Sequence, residues 1–203
     1  MTDYPFLNIC FPEKEIFLRL GGHLTKTEIT SAEKLRFHSL ALKAFEQCHA
    51  QGRWEIFKVN AVREDGILLA DNSFIASKDF ARRCQKITHL WCGFATVGKA
   101  VTQLRDNSEK ISEKALFDAV ASECADAAMD MVQQLARQSL QRQNMVLAER
   151  RYSPGFGDMD LSVQKFFFER LALNELDILL SEAYYMIPEK SVTAFAGIME
   201  DLG

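Results

Sequence analysis

The strongest periodicity in the chain runs from Ser112 to Arg142. There Leu116, Val120, Met131, Val132 and Leu135 recur at helical spacing, and the pattern predicts one long helix. Its composition is unusual: Ala115, Ala119, Ala121, Ala125, Ala127 and Ala128 crowd the same stretch. Small side chains let a neighbouring backbone or a flat ligand come close. Pro12 to Leu20 reads as a shorter helix, with proline at its first position, Gly21-Gly22 beyond its end, and Ile16, Phe17 and Leu20 toward the core. Thr30-Ser31-Ala32-Glu33 has the form of a capping box. The helix it opens should reach about Ala50, burying Leu35, Leu40, Leu42, Phe45 and Cys48. Val163 to Leu173, with Phe166, Phe167, Phe168 and Leu171, predicts an apolar helix late in the chain.

Between these helices the period changes. Trp54 to Val62 alternates as a strand does, Glu64-Asp65-Gly66 is a turn, and Ile67 to Leu69 pairs back. Ser77 caps a short helix reaching Cys84. Lys86 to Phe94, Met145 to Ala148 and Ser191 to Ile198 read as further strands. Strands and helices mix without regular alternation. The expected architecture is α+β, a mostly antiparallel twisted sheet flanked by helices.

The 203 residues are 48% hydrophobic, enough for one substantial core. The expected organisation is a single domain over 1–203, with helices and strands in 1–98 and the long helix and loop half in 99–203. A net charge of −4 without a basic stripe argues against nucleic acid as the partner. Five scattered cysteines without a Cys-x-x-Cys pair signal neither a disulfide framework nor a metal site. With no leader-like segment or membrane-length apolar run, the expectation is a reduced, cytoplasmic setting.

Three stretches carry candidate chemistry. In Arg151-Tyr152-Ser153-Pro154-Gly155-Phe156-Gly157-Asp158, a proline and two glycines follow an arginine. Such a loop leaves its backbone accessible, and the arginine offers a planar fork suited to a carboxylate or phosphate. The same pattern also suits a plain strand-to-helix turn with surface arginines. On the long helix, Asp118, Ser122, Asp126 and Asp130 fall at successive four-residue steps and form one stripe. By itself that stripe reads as a solvated face. Thr96-Val97-Gly98, between a strand and a helix, reads either as a ligand-facing turn or as a simple connection.

Arg-x-x-x-Gly-Phe at 151–156 resembles the Arg-x-x-x-Gly-Tyr signature of the S-adenosylmethionine-binding activation domain of cobalamin-dependent methionine synthase. Leu180 to Thr193 is similar to that family's Leu-Thr-Glu-Ser-aromatic-x-Met-x-Pro-x-x-Ser-Val-Ser block, in the family's order and near its spacing. The first hundred residues look more like the group's small standalone proteins than like the domain fused to methionine synthase. The resemblance implies a reactivation protein. It would bind S-adenosylmethionine and support reductive methylation of cob(II)alamin carried by a methionine synthase or related corrinoid methyltransferase. A flavodoxin or ferredoxin would donate the electron.

The family carries these roles onto this chain. Arg151 would pair with the ligand carboxylate. Ser153, Gly155 and Phe156 would shape the adenosine side through backbone contacts. Asp126, or Glu123 in the alternative register, would hold the ammonium. Glu182, Tyr184 and Tyr185 would line the adenosine side or face the corrin. The chemistry is positioning, so no catalytic acid, base, nucleophile or metal is expected. Phe156 stands where the family has tyrosine, which removes a hydroxyl. The alternative function is an adaptor that binds S-adenosylmethionine or a corrinoid and regulates a methyltransferase without taking part in methyl transfer.

Overall fold

The alanine-rich helix lies across one face of a seven-stranded sheet whose pairings are all antiparallel. The computed structural model describes residues 1–22 and 30–200. The chain begins with β1 (Thr2–Tyr4), α1 (Glu13–Arg19) and α2 (Ser31–Phe45). β2 (Gln51–Arg63) and β3 (Gly66–Leu69) form the expected hairpin, and β4 (Phe74–Ala76) extends its edge. α3 (Lys78–Arg83) leads into β5 (His89–Thr96), followed by α4 (Ala100–Asn107) and the long α5 (Ile111–Gln141). β6 (Met145–Leu147) precedes the arginine loop. α6 (Gln164–Arg170) lies between short 3-10 turns at Leu161–Val163 and Leu173–Leu176. A small ribbon of β7 (Leu179–Leu180) and β8 (Met186–Ile187) then leads to β9 (Ser191–Glu200).

The strand order is β4-β3-β2-β5-β9-β6, with β1 also paired to β2. Side chains alternate across the central strands, and this divides the core in two. Trp91 and Ala95 of β5, with Ala194, Ala196 and Ile198 of β9, meet α5. Leu90, Cys92 and Phe94 of β5, with Phe195 of β9, face α3 and α6. On the α5 side the contact is small against small. A Cβ added at Gly52 would lie 2.3 Å from Cγ2 of Val132, so the helix seats directly on the strand backbone there. On the other side the filling is aromatic: Phe195 lies 4.3 Å from Phe167, 5.7 Å from Phe80 and 5.8 Å from Phe166 between ring centroids.

Local signals match the structure where they are strong. Thr30 accepts from Glu33 N–H while the Glu33 carboxylate accepts from Thr30 N–H, completing the capping box. Ser77 accepts from Phe80 N–H at 3.0 Å. Other expectations need correction. α2 stops at Phe45, and Leu35 is 71% exposed, because residues 31–36 are exposed all round and only Ala41 and Ala44 of this helix are buried. α6 ends before Leu171; Ala172, with φ of 45°, breaks the helical path. β1 and β4 have three residues each, too few for alternation to be legible.

Phe195→Ala should remove about 3–5 kcal/mol of stability, the usual cost of deleting a fully buried aromatic ring. The urea midpoint measures it, and a loss below about 1 kcal/mol would contradict this account of the aromatic core.

Candidate functional site

The site is built on the edge of the sheet. Beyond β6 the chain continues alongside β9: Ala148 N–H donates to Gly197 O at 2.9 Å. Tyr152 and Phe195 then exchange both backbone hydrogen bonds, at 2.9 and 2.8 Å. Extended backbone sends successive side chains to opposite faces. Tyr152 goes to the aromatic side, stacked on Phe80 at 5.1 Å. Arg151 goes to the α5 side, where its Nη1 donates to Asp130 Oδ1 at 2.6 Å and to Gln133 Oε1 at 2.8 Å. Gln133 is buried, and its amide orientation is set because Nε2 donates to Ala148 O (2.8 Å) and Glu149 O (3.1 Å). The glutamine therefore ties the strand edge to the helix and aims the arginine at the same time.

The loop after Arg151 closes on itself. Gly155 N–H donates to Met159 O at 2.9 Å, Phe156 N–H to Ser153 O at 3.1 Å, and Met159 N–H to Phe156 O at 3.0 Å. Two N–H groups expected to face a ligand are thus engaged within the loop, while the Phe156 side chain is 71% exposed. Gly157 has φ of 56°, and a Cβ there would lie 2.2 Å from the Tyr152 hydroxyl oxygen. Asp158 then clips the loop to the start of α3. It accepts from Ser77 Oγ at 2.5 Å and from Lys78 N–H at 2.7 Å. The Ser77 hydroxyl first, and the backbone donors after it, hold the Asp158 carboxyl below its ordinary range despite some desolvation.

The acidic stripe on α5 is not a bare solvated face. Asp118 meets Arg105 at 2.7 Å and Lys190 at 2.8 Å. Ser122 accepts from Lys190 Nζ at 3.0 Å. Asp126 lies 3.4 Å from Arg19, which also binds Glu123, and Asp130 holds Arg151. Ser122, which Lys190 reaches, and Asp130, which Arg151 reaches, are eight residues apart, about 12 Å of helix rise. Asp126 lies between them. Its side chain is about half exposed, and its pKa is raised, by partial desolvation against the helix first and by the Glu123 charge next, with Arg19 and Arg151 pulling the other way. Desolvation also opposes ionisation of Asp118, but Lys190 and Arg105 outweigh it and its pKa falls.

Arg151, Asp126 and Glu123 thus share one helix face and one field. Glu182, Tyr184 and Tyr185 sit on the β7–β8 turn, and among the described residues no hydrogen bond or ion pair joins them to the arginine loop. Glu182 is exposed and Tyr185 is 66% exposed. The Tyr184 ring lies 5.0 Å from Lys165 Nζ. It is Lys190, just beyond that turn, that reaches the stripe. Thr96 serves as a connection: its hydroxyl accepts from Gly98 N–H at 3.2 Å and from Ser191 Oγ at 2.8 Å. Gln133, Lys190 and Asp158 are the residues that sequence reasoning passed over. Only Gln133 carried a signal, a polar residue next to Val132 on a helix face otherwise rich in apolar positions. Among the described residues no group of three or more His, Cys, Asp or Glu could hold a metal ion, and no helix is long and apolar enough to cross a membrane.

No protein-family model and no curated protein matches the sequence. Among solved structures, the crystal structure of the MetH reactivation domain bound to AdoHcy superposes with a TM-score of 0.65 at 15% sequence identity. The match covers 99% of this chain and 81% of the other. The chain has the reactivation-domain fold. At 15% identity the likeness is one of fold, and it assigns no role to the Arg151 loop or the α5 stripe.

Asp158→Ala should lower the melting temperature at pH 7. The clip is a depressed-pKa carboxylate, so its contribution is complete above the ordinary aspartate value of about 4 and is lost as pH falls through the lower folded value. Melts of variant and wild type should therefore converge toward pH 3; a difference independent of pH would refute the charged clip.

Proposed function

We propose that the chain binds S-adenosylmethionine between the Arg151 loop and the α5 stripe. The observation that carries this reading is Arg151, aimed by Gln133 across a row of carboxylates on the same helix face. This donor set matches the ligand's charges. A guanidinium suits the amino-acid carboxylate, Asp126 and Asp130 suit the ammonium, and nearby negative charge offsets the sulfonium. The exposed Phe156 ring offers a flat face to the adenine. The ligand carboxylate would replace Asp130 on Arg151. Asp130 is 69% exposed, so the pair it gives up is worth no more than about 1 kcal/mol.

When bound, S-adenosylmethionine supplies an activated methyl group. The protein's own part is to hold the carboxylate at Arg151, orient the sulfonium beside the stripe and keep the methyl in a defined direction. The reading extends to support of reductive methylation of cob(II)alamin. The corrin would be carried by a cobalamin-dependent methionine synthase or related corrinoid methyltransferase in the cytoplasm, with an electron donor such as flavodoxin or ferredoxin. Ser153, Gly155, Glu182, Tyr184 and Tyr185 are the proposed outer contacts on the adenosine and partner sides. One observation favours a second reading, a binding adaptor without a part in methyl transfer: the Gly155 and Phe156 N–H groups are engaged inside the loop, which leaves fewer donors for a ligand.

Arg151→Ala should weaken S-adenosylmethionine binding about 10- to 150-fold, the range for losing charge-assisted hydrogen bonds of about 1.5–3 kcal/mol. Isothermal titration measures it, with an unchanged melting temperature as the control. Wild-type affinity in the variant would overturn the site. Binding without methyl transfer to a reduced, cobalamin-loaded methyltransferase domain would favour the adaptor.

A further inference from the structure

The edge segment that sends Arg151 toward α5 has a second face. On that side, between α3 and residues 148–152, a cavity of about 660 Å³ opens to the surface. The volume lies within the range of small-molecule sites, about 300–1,000 Å³. Its floor is apolar and partly flat. Phe80 and Tyr152 are stacked with ring planes 23° apart, and Ile87 and Met199 complete the lining. Cys84 also lines the floor, and burial pushes its thiol up to about 12, so it carries no charge at neutral pH.

The rim is basic. Arg83, Lys86 and Arg150 line the cavity and are exposed. Their neighbours Arg82 and Arg151 are each paired with an aspartate, at 2.5 and 2.6 Å. Arg83, Lys86 and Arg150 have no carboxylate partner among the described residues. The Arg83 guanidinium lies 6.0 Å over the Tyr152 ring, which leaves its donors free at the mouth. Glu149 is the one acid in the lining, which holds four cations, and of these only Arg151 is paired with an aspartate. On a chain of net charge −4, this is a local reversal of sign around an apolar floor. Such a field concentrates anions and repels the cations that the rest of the surface attracts.

We propose that this cavity binds a small molecule with a flat apolar body and an anionic group. The rings lie against Tyr152, Ile87 and Met199, and the carboxylate, sulfonate or phosphate sits among Lys86, Arg150 and Arg83. Arg151 borders both this cavity and the α5 groove, whereas Lys86, Arg150 and Arg83 belong to this cavity.

The test uses the full chain at pH 7 and low salt with two fluorescent probes. One is 8-anilinonaphthalene-1-sulfonate; the other is N-phenyl-1-naphthylamine, the same rings without the sulfonate. The expected result is saturable one-to-one binding of the sulfonate, at least tenfold tighter than the neutral probe and weakened by salt. The pair Lys86→Glu and Arg150→Glu should cost at least tenfold in affinity for the sulfonate and little for the neutral probe. These positions are exposed, and near-ultraviolet circular dichroism checks that the fold is kept. If charge reversal unfolds the chain, Lys86→Gln with Arg150→Gln reads the same difference. Equal affinity for both probes, or indifference to the rim substitutions, would each overturn the proposal.

Discussion

The close seating of α5 on the sheet is the constraint from which the rest follows. Ala119, Ala121, Ala125, Ala128 and Ala136 are all buried on the helix, and Ala95, Ala194 and Ala196 are buried on the strands beneath. Gly52 admits Val132 where any side chain would collide. Small residues on both sides bring the helix near enough for its flank to meet the strand edge at residues 148–151. Gln133 exploits that nearness, bonding two carbonyls of the edge and the guanidinium of Arg151. A larger residue in the seam would push the helix outward, and the aim of the arginine would go with it.

Strand alternation then divides the chemistry. Arg151 and Tyr152 are adjacent in sequence but lie on opposite faces, because the edge runs extended against β9. One face meets a row of carboxylates on α5. The other meets the aromatic stack of Phe80 and Tyr152 under a basic rim. The two surfaces share a backbone, and Asp158 holds the far end of the loop to α3. The loop is thus anchored on both sides of the sheet, and its exposed tip is Phe156.

Charge pairing organises the outside of the fold with little energetic weight in any single pair. Surface ion pairs contribute about 0–1 kcal/mol each. Their effect here is geometric. Asp118, Ser122, Asp126 and Asp130 gather Arg105, Lys190, Arg19 and Arg151 from four separate parts of the chain onto one line. Buried, tightly matched pairs would resist exchange with a ligand, whereas exposed pairs yield to it.

Local chemistry was legible in the sequence wherever it acts within a few residues. The capping box at Thr30, the Ser77 cap, the turn before Gly66 and the long helical period of α5 all form as their residues require. The α+β class and the antiparallel sheet follow from the same signals, and the Arg151 motif pointed to the reactivation-domain fold. What sequence could not supply were relations between distant segments. Leu35 sits at core spacing yet has no neighbour among the described residues to bury it, since periodicity marks a face and only packing covers it. Gln133 and Lys190 gained their roles from an edge strand and a turn brought alongside α5. The opposite-facing Arg151 and Tyr152 depended on pairing with Phe195, a contact across 43 residues of chain. Short-range hydrogen bonds and side-chain spacing determine elements; the burial that chooses among them, and the proximity that makes a site, arise only when the sheet and helix close on each other.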